Sequence, residues 1–145
     1  MAGKVLVLGD PSTAYQEASI YVSEGLDERI VRGVNEAGGD YVVASYLMLP
    51  IRDGAVDVVV MDSVGGPETV VRIFNEAARV AKDELVVMQW QPEKGWSTTP
   101  MFVSGLAVVK NKLKALASGY SHEYREEGAR YTYIIRINRR VSNPS

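Results

Sequence analysis

Side chains able to act as nucleophiles or metal ligands are sparse in this sequence, and that narrows its chemistry. It has no cysteine, which excludes thiolate nucleophiles, disulfides and thiolate metal sites, and a single histidine excludes a multi-histidine metal site within one chain. No metal is therefore expected. That histidine, His122, stands alone in an alternating segment, where a surface or structural role is the commoner one. What remains are acids at the ends of apolar runs: Asp10 after Lys4 to Leu8, Glu24 after Ile20 to Val22, and Asp62 after Val56 to Met61. Carboxylates so placed can accept hydrogen bonds or move protons, and they equally cap neighbouring turns. Ser12 and Thr13 add hydroxyls to the breaker cluster Gly9-Asp10-Pro11-Ser12-Thr13. Trp90, Trp96 and Phe102 flank a polar stretch, where they either line a ligand pocket or pack in a core. Neither a phosphate loop ending in glycine-lysine-serine/threonine nor a full G-x-G-x-x-G occurs.

The elements that must position these groups can be read from periodicity. Tyr41 to Ala44 and Val56 to Met61 are nearly uninterrupted β-branched runs, as expected for parallel strands covered on both faces. Leu49-Pro50 and Arg52-Asp53-Gly54 between them leave no room for a crossover helix. The two strands are therefore expected to lie apart in the sheet, joined across its edge or end. Lys4 to Leu8 reads as a first strand and Ile20 to Val22 as a second, with room between for only about three turns of helix. Leu26, Ile30, Val31, Val34 and Ala37 share a helical face that stops at Gly38-Gly39. Pro67 and Glu68 suit a helix first turn, followed by the apolar stripe Val70, Phe74, Ala77, Ala78 and Ala81. Lys82-Asp83 reads as a turn before a fifth strand, Glu84 to Trp90. A last helix carries Phe102, Leu106, Val109, Leu113 and Leu116; Lys110, Lys112 and Lys114 suit its C-terminal half and read as a solvated face. Tyr120 to Arg125 and Tyr131 to Asn138 form a hairpin at a sheet edge.

At 145 residues and 46% hydrophobic content the chain suits one domain, over residues 1–140, with 141–145 as a frayed tail. A 23% charged fraction and a net charge of -2 give no bulk attraction to nucleic acid or anionic lipid, so neither is expected as a partner. The first residues run straight into a strand, too short for a signal or a membrane span, and a cytoplasmic location is expected.

An alternating α/β chain that ends in an antiparallel hairpin resembles the class I S-adenosylmethionine-dependent methyltransferases. Ala44 to Val60, with Leu49-Pro50, Asp53 and Asp57-Val58-Val59, is similar to that family's acidic-x-x-x-Leu-Pro segment, and Glu76 to Lys82 followed by Leu85-Val86-Val87 is similar to its helix and fifth strand. The resemblance implies a Rossmann-like three-layer sandwich with a mostly parallel seven-stranded sheet ending in the hairpin. It implies S-adenosylmethionine as cofactor, bound through the loop of Gly9, Asp10 and Ser12, with Glu24 accepting the ribose hydroxyls and Ser45, Tyr46 and Leu47 around the adenine. Asp10-Pro11 departs from the family's glycine-rich loop: Pro11 removes an amide donor, and Asp10 sets a negative charge near the expected cofactor carboxylate. Asp62 would lie where the reacting groups meet, as a base or an orienting group toward a methyl acceptor, with a small molecule favoured. The alternative is a non-catalytic relative that has lost cofactor binding and survives as an assembly module; a homodimer fits either reading.

Overall fold

The computed structural model describes residues 3–9, 18–92 and 100–140, with residues 100–102 and 138–140 described in backbone only. Among the described residues ten elements follow in order: β1 (Val5–Gly9), β2 (Ile20–Ser23), α1 (Glu28–Glu36), β3 (Asp40–Val43), β4 (Val56–Asp62), α2 (Val70–Val80), β5 (Ala81–Trp90), α3 (Pro100–Ala117), β6 (Tyr120–Glu127) and β7 (Arg130–Arg140). The strands form one seven-stranded sheet ordered β3-β2-β1-β4-β5-β7-β6. Its first five strands run parallel, and β7 joins β5 antiparallel with β6 outside it.

The run of apolar residues in β1 is explained by burial on both faces. Leu6 and Leu8 belong to the larger core with α2 and α3, whereas Val7 points into a smaller core with Tyr21 and Val34 of α1. Helices thus cover both faces, which gives three layers and a Rossmann-like fold. Buried Val70, Ile73, Phe74, Ala77 and Val80 form the inner stripe of α2, and Val109, Leu113 and Ala117 that of α3. No helix among the described residues is long and apolar enough to cross a membrane.

The short link from β3 to β4 does cross the end of the sheet, because β2 and β1 lie between those strands. β3 ends the sheet, and its two faces are covered as expected, Val42 packing on the larger core and Tyr41 on the smaller, while Val43 at its end is 52% exposed. Three sequence expectations are corrected. Leu26 lies before α1, which Asp27 caps by accepting the Arg29 N–H, and it is 70% exposed instead of sharing the helix's inner face. Pro67 and Glu68 form a turn ahead of α2 rather than its first turn; the Thr69 hydroxyl accepts the Gly66 N–H there, and the helix begins at Val70. No separate turn occupies Lys82-Asp83, since β5 starts at Ala81 directly after α2.

Candidate functional site

The chain leaves β1 toward β2 on one side, while β4 and β5 build outward on the other, so the strand order reverses between β1 and β4. Ligands of open α/β sheets bind beyond the carboxyl ends of strands at such a point. Gly9 and Asp62 pair across it. The backbones approach so closely that a Cβ at Gly9, whose φ is +107°, would stand 2.2 Å from the Asp62 carbonyl oxygen. Just beyond, Ser63 has φ 61° and Gly65 φ 91°, so β4 ends in a sharp left-handed bend that carries the chain to the α2 N-terminus.

Glu24, Tyr46, Leu47, Ser63, Val64, Gly65, Gly66, Thr69 and Ile73 enclose a crevice of about 410 Å³ at these strand ends. That volume lies within the range of small-molecule sites. Glu24 follows β2 and is exposed; one carboxylate oxygen, Oε2, accepts the backbone N–H of Tyr46 at 2.9 Å. Burial raises the Tyr46 phenol above its ordinary pKa and the Glu24 charge adds to this, whereas the amides of Gly9 and Glu24 and the Ser23 hydroxyl oppose it. Those neighbours set the phenol over the heads of β1 and β2.

The loop bearing Tyr46 and Leu47 is fastened from behind. Arg79, in the last turn of α2, donates to the carbonyls of Leu49 (3.1 Å) and Ile51 (2.9 Å) and to Asp53 (2.7 Å), while both Glu76 oxygens accept from it. Glu76 in turn accepts the Leu49 N–H at 2.6 Å. Arginine's planar fork suits several acceptors held at once.

On the other side of the crevice, Asp62 is 2% exposed, and its Oδ1 accepts from Arg130 at 2.6 Å and from the Ser63 hydroxyl at 3.2 Å. Arg130 also donates to Ser63 and lies 4.8 Å from the Trp90 ring centre, so a cation and an aromatic face stand together beside the crevice. Two lysines of α3 turn inward rather than forming a solvated face: Lys110 donates to Gln91 at 2.6 Å and lies 5.2 Å from the Tyr131 ring centre, and Lys112 donates to the Pro67 carbonyl.

Of the residues expected at the site, the structure brings Glu24, Tyr46 and Leu47 to one crevice; Gly9 and Asp62 are not among its lining residues but pair at the ends of β1 and β4, where Asp62 directly precedes the lining residue Ser63. Ser45 is not among the lining residues; it is exposed, and its hydroxyl accepts the Leu47 N–H of its own turn. Asp10, Ser12 and Trp96 lie outside the described residues, as does the Phe102 side chain. Sequence reasoning passed over Arg79 and Arg130 as site residues, whereas Ser63 to Gly66 of the crevice wall directly follow Asp62, the strand end at which the reacting groups were expected to meet.

No protein-family model matches the sequence, and no curated protein does. Solved structures do match. An S-adenosylmethionine-dependent methyltransferase from Mesorhizobium loti superposes with a TM-score of 0.67 at 14% identity, over 93% of this chain and 91% of that one. One from Thermotoga maritima gives 0.64 at 16% identity over 94% of this chain and 83% of its own, and one from Aquifex aeolicus 0.62 at 19% over 93% and 82%. At such identities the likeness is one of architecture: the chain has the fold of the class I S-adenosylmethionine-dependent methyltransferases.

Proposed function

We propose that the chain binds S-adenosylmethionine in the crevice between β2, the loop after β3 and the end of β4, and transfers its methyl group to a small-molecule acceptor. The observation that supports this most is the convergence of Glu24, Tyr46, Leu47 and Val64 on one cavity of about 410 Å³ at the strand-order reversal. The residues present fit the adenosyl half of the cofactor. Glu24 spends one lone pair on the Tyr46 amide, which leaves carboxylate capacity for two ribose hydroxyls. Leu47, Val64 and Ile73 supply apolar surface for a planar ring, and Gly65 and Gly66 add no side chain to obstruct it.

When bound, the cofactor supplies an electrophilic methyl on a sulfonium, so the protein's task is largely positioning. Asp62 would orient the acceptor. Arg130 and Ser63 both engage its Oδ1, and Oδ2 is the oxygen that would meet an acceptor N–H or O–H. The Trp90 face stacked on Arg130 would form part of the acceptor's wall.

Calorimetric titration with S-adenosylmethionine and S-adenosylhomocysteine tests this reading. Binding that Glu24→Ala weakens by about tenfold, the loss of one or two good hydrogen bonds, is the expected result. Absence of binding to both ligands would sink the enzyme reading and favour a non-catalytic assembly module.

A further inference from the structure

We propose that β6 is a self-complementary edge through which two copies of the chain pair, antiparallel and centred on Tyr124, into one continuous sheet. Among the described residues β6 ends the sheet and pairs only with β7, and all six residues from His122 to Glu127 are exposed. Its pairing is regular from Ser121 to Glu127, because the one irregularity lies between Tyr120 and Ser121.

The hairpin turn determines which backbone groups face outward. Glu127 pairs with Arg130 across the two residues Gly128 and Ala129, and Gly128 has φ +59°, the first central position of a type II′ turn. In a two-residue hairpin the closing pair exchanges hydrogen bonds. Alternation then turns the N–H and C=O of Glu127, Arg125 and Glu123 toward β7, and those of Glu126, Tyr124 and His122 away from the sheet. A second β6 centred on Tyr124 meets outward groups with outward groups.

The side chains match in the same register. Tyr124 faces its own copy, Glu123 faces Arg125 of the second copy, and His122 faces Glu126 of the second copy. Glu123 already accepts from Arg125 and Arg136 of its own chain at 3.3 and 3.2 Å, so the pairing completes a square of alternating charge on one face. Centring on Glu126 instead would oppose that acid to itself, and centring on His122 would set Glu123 against Ser121. Charges on terminal strands usually discourage pairing. Here their alternation favours one partner, a second copy, and like charges oppose each other in the nearest alternative register. β3, the other terminal strand, has four residues and one charge.

Seven paired residues per copy make a small interface, so the dimer depends on concentration. Sedimentation velocity over a concentration series, with circular dichroism to verify folding, tests the proposal. The unmodified chain should dimerise, Arg125→Glu should weaken dimerisation by about tenfold or more by opposing Glu123 at both symmetric positions, and the double exchange Glu123→Arg with Arg125→Glu should restore it. A chain that stays monomeric throughout would overturn the proposal. So would a dimer indifferent to Arg125→Glu, or a folded double variant that fails to recover.

Discussion

Arg130 Nη2 lies 2.6 Å from Asp62 Oδ1, joining the start of β7 to the end of β4 across 68 residues of sequence. Asp62 is almost wholly buried, while the Arg130 side chain keeps 32% of its exposure, so the pair stands between a surface ion pair and a fully buried one. Arg130→Ala leaves a buried carboxylate without its cation and should cost about 2–3 kcal/mol of stability. Adding Asp62→Asn should recover part of that loss, because the stranded charge is then gone. Urea denaturation of both single variants and the double variant measures the coupling; strict additivity would show that the contact has no energetic weight.

Arg79 reaches the crevice through the loop it holds rather than by contact. Its removal frees the Leu49 and Ile51 carbonyls and leaves Glu76 uncompensated, an expected loss of about 2–3 kcal/mol. Arg79→Lys should recover little of it, since an ammonium cannot span the same acceptors. Hydrogen exchange in residues 45–52 should rise more than in β1 or β4. The pH dependence has a definite sign. Hydrogen bonds from Arg79, and then the Leu49 amide, hold Glu76 below its ordinary value of 4.5. Its contribution is complete above about 4.5, the unfolded value, and fades as pH falls through the lower folded value. In Arg79→Ala that acid-side fading should be much reduced.

Gly9 and Gly128 both have positive φ, yet their surroundings separate two costs. A methyl at Gly128 meets nothing within 4 Å, so Gly128→Ala should cost about 1 kcal/mol of backbone strain alone. At Gly9 the methyl would also stand 2.5 Å from Val64 Cγ1 and 2.2 Å from the Asp62 carbonyl oxygen. Gly9→Ala should cost about 3 kcal/mol or more and disturb the β1–β4 junction. Thermal unfolding of the two variants compares them directly, and equal losses would contradict the close approach.

The sheet was legible where burial imposes a local pattern. The apolar runs of β1, β4 and β5 are local signals, and the link between Val43 and Val56, too short for a crossover helix, separates β3 from β4 without coordinates. The edge position of β3 was not legible, because Tyr41-Val42-Val43 looks the same whether or not another strand lies outside it. The start of α2 was misread because Pro67-Glu68 suits a tight turn as well as a first helical turn, and the Thr69 hydroxyl decided between them. In the site, Glu24 could be located from the end of its strand. Arg130 could not, since its partner Asp62 is set by β7 inserting between β5 and β6.

Tyr124, Tyr131 and Tyr133 gather on the hairpin with ring centres 4.9 to 6.0 Å apart, and each phenol is pushed upward, chiefly by burial. Tyr124 rises to about 12, with a hydrogen bond to Glu126 as the second cause. The unfolded chain ionises near the ordinary value of 10.0, while the folded chain keeps its protons longer. The resulting stability is complete below about pH 10 and is lost as pH rises from there through the folded values. Tyr131 adds a further element, because its hydroxyl is buried without a hydrogen-bond partner among the described residues. An unsatisfied buried hydroxyl costs about 1–3 kcal/mol, and its removal leaves the ring packing intact. Tyr131→Phe should therefore gain about 1 kcal/mol at neutral pH and show a shallower alkaline decline. Urea denaturation at neutral pH and above pH 10.0, alongside ultraviolet titration of the phenols, reads both effects. A loss of stability in Tyr131→Phe at neutral pH would mean that its hydroxyl has a partner in solution.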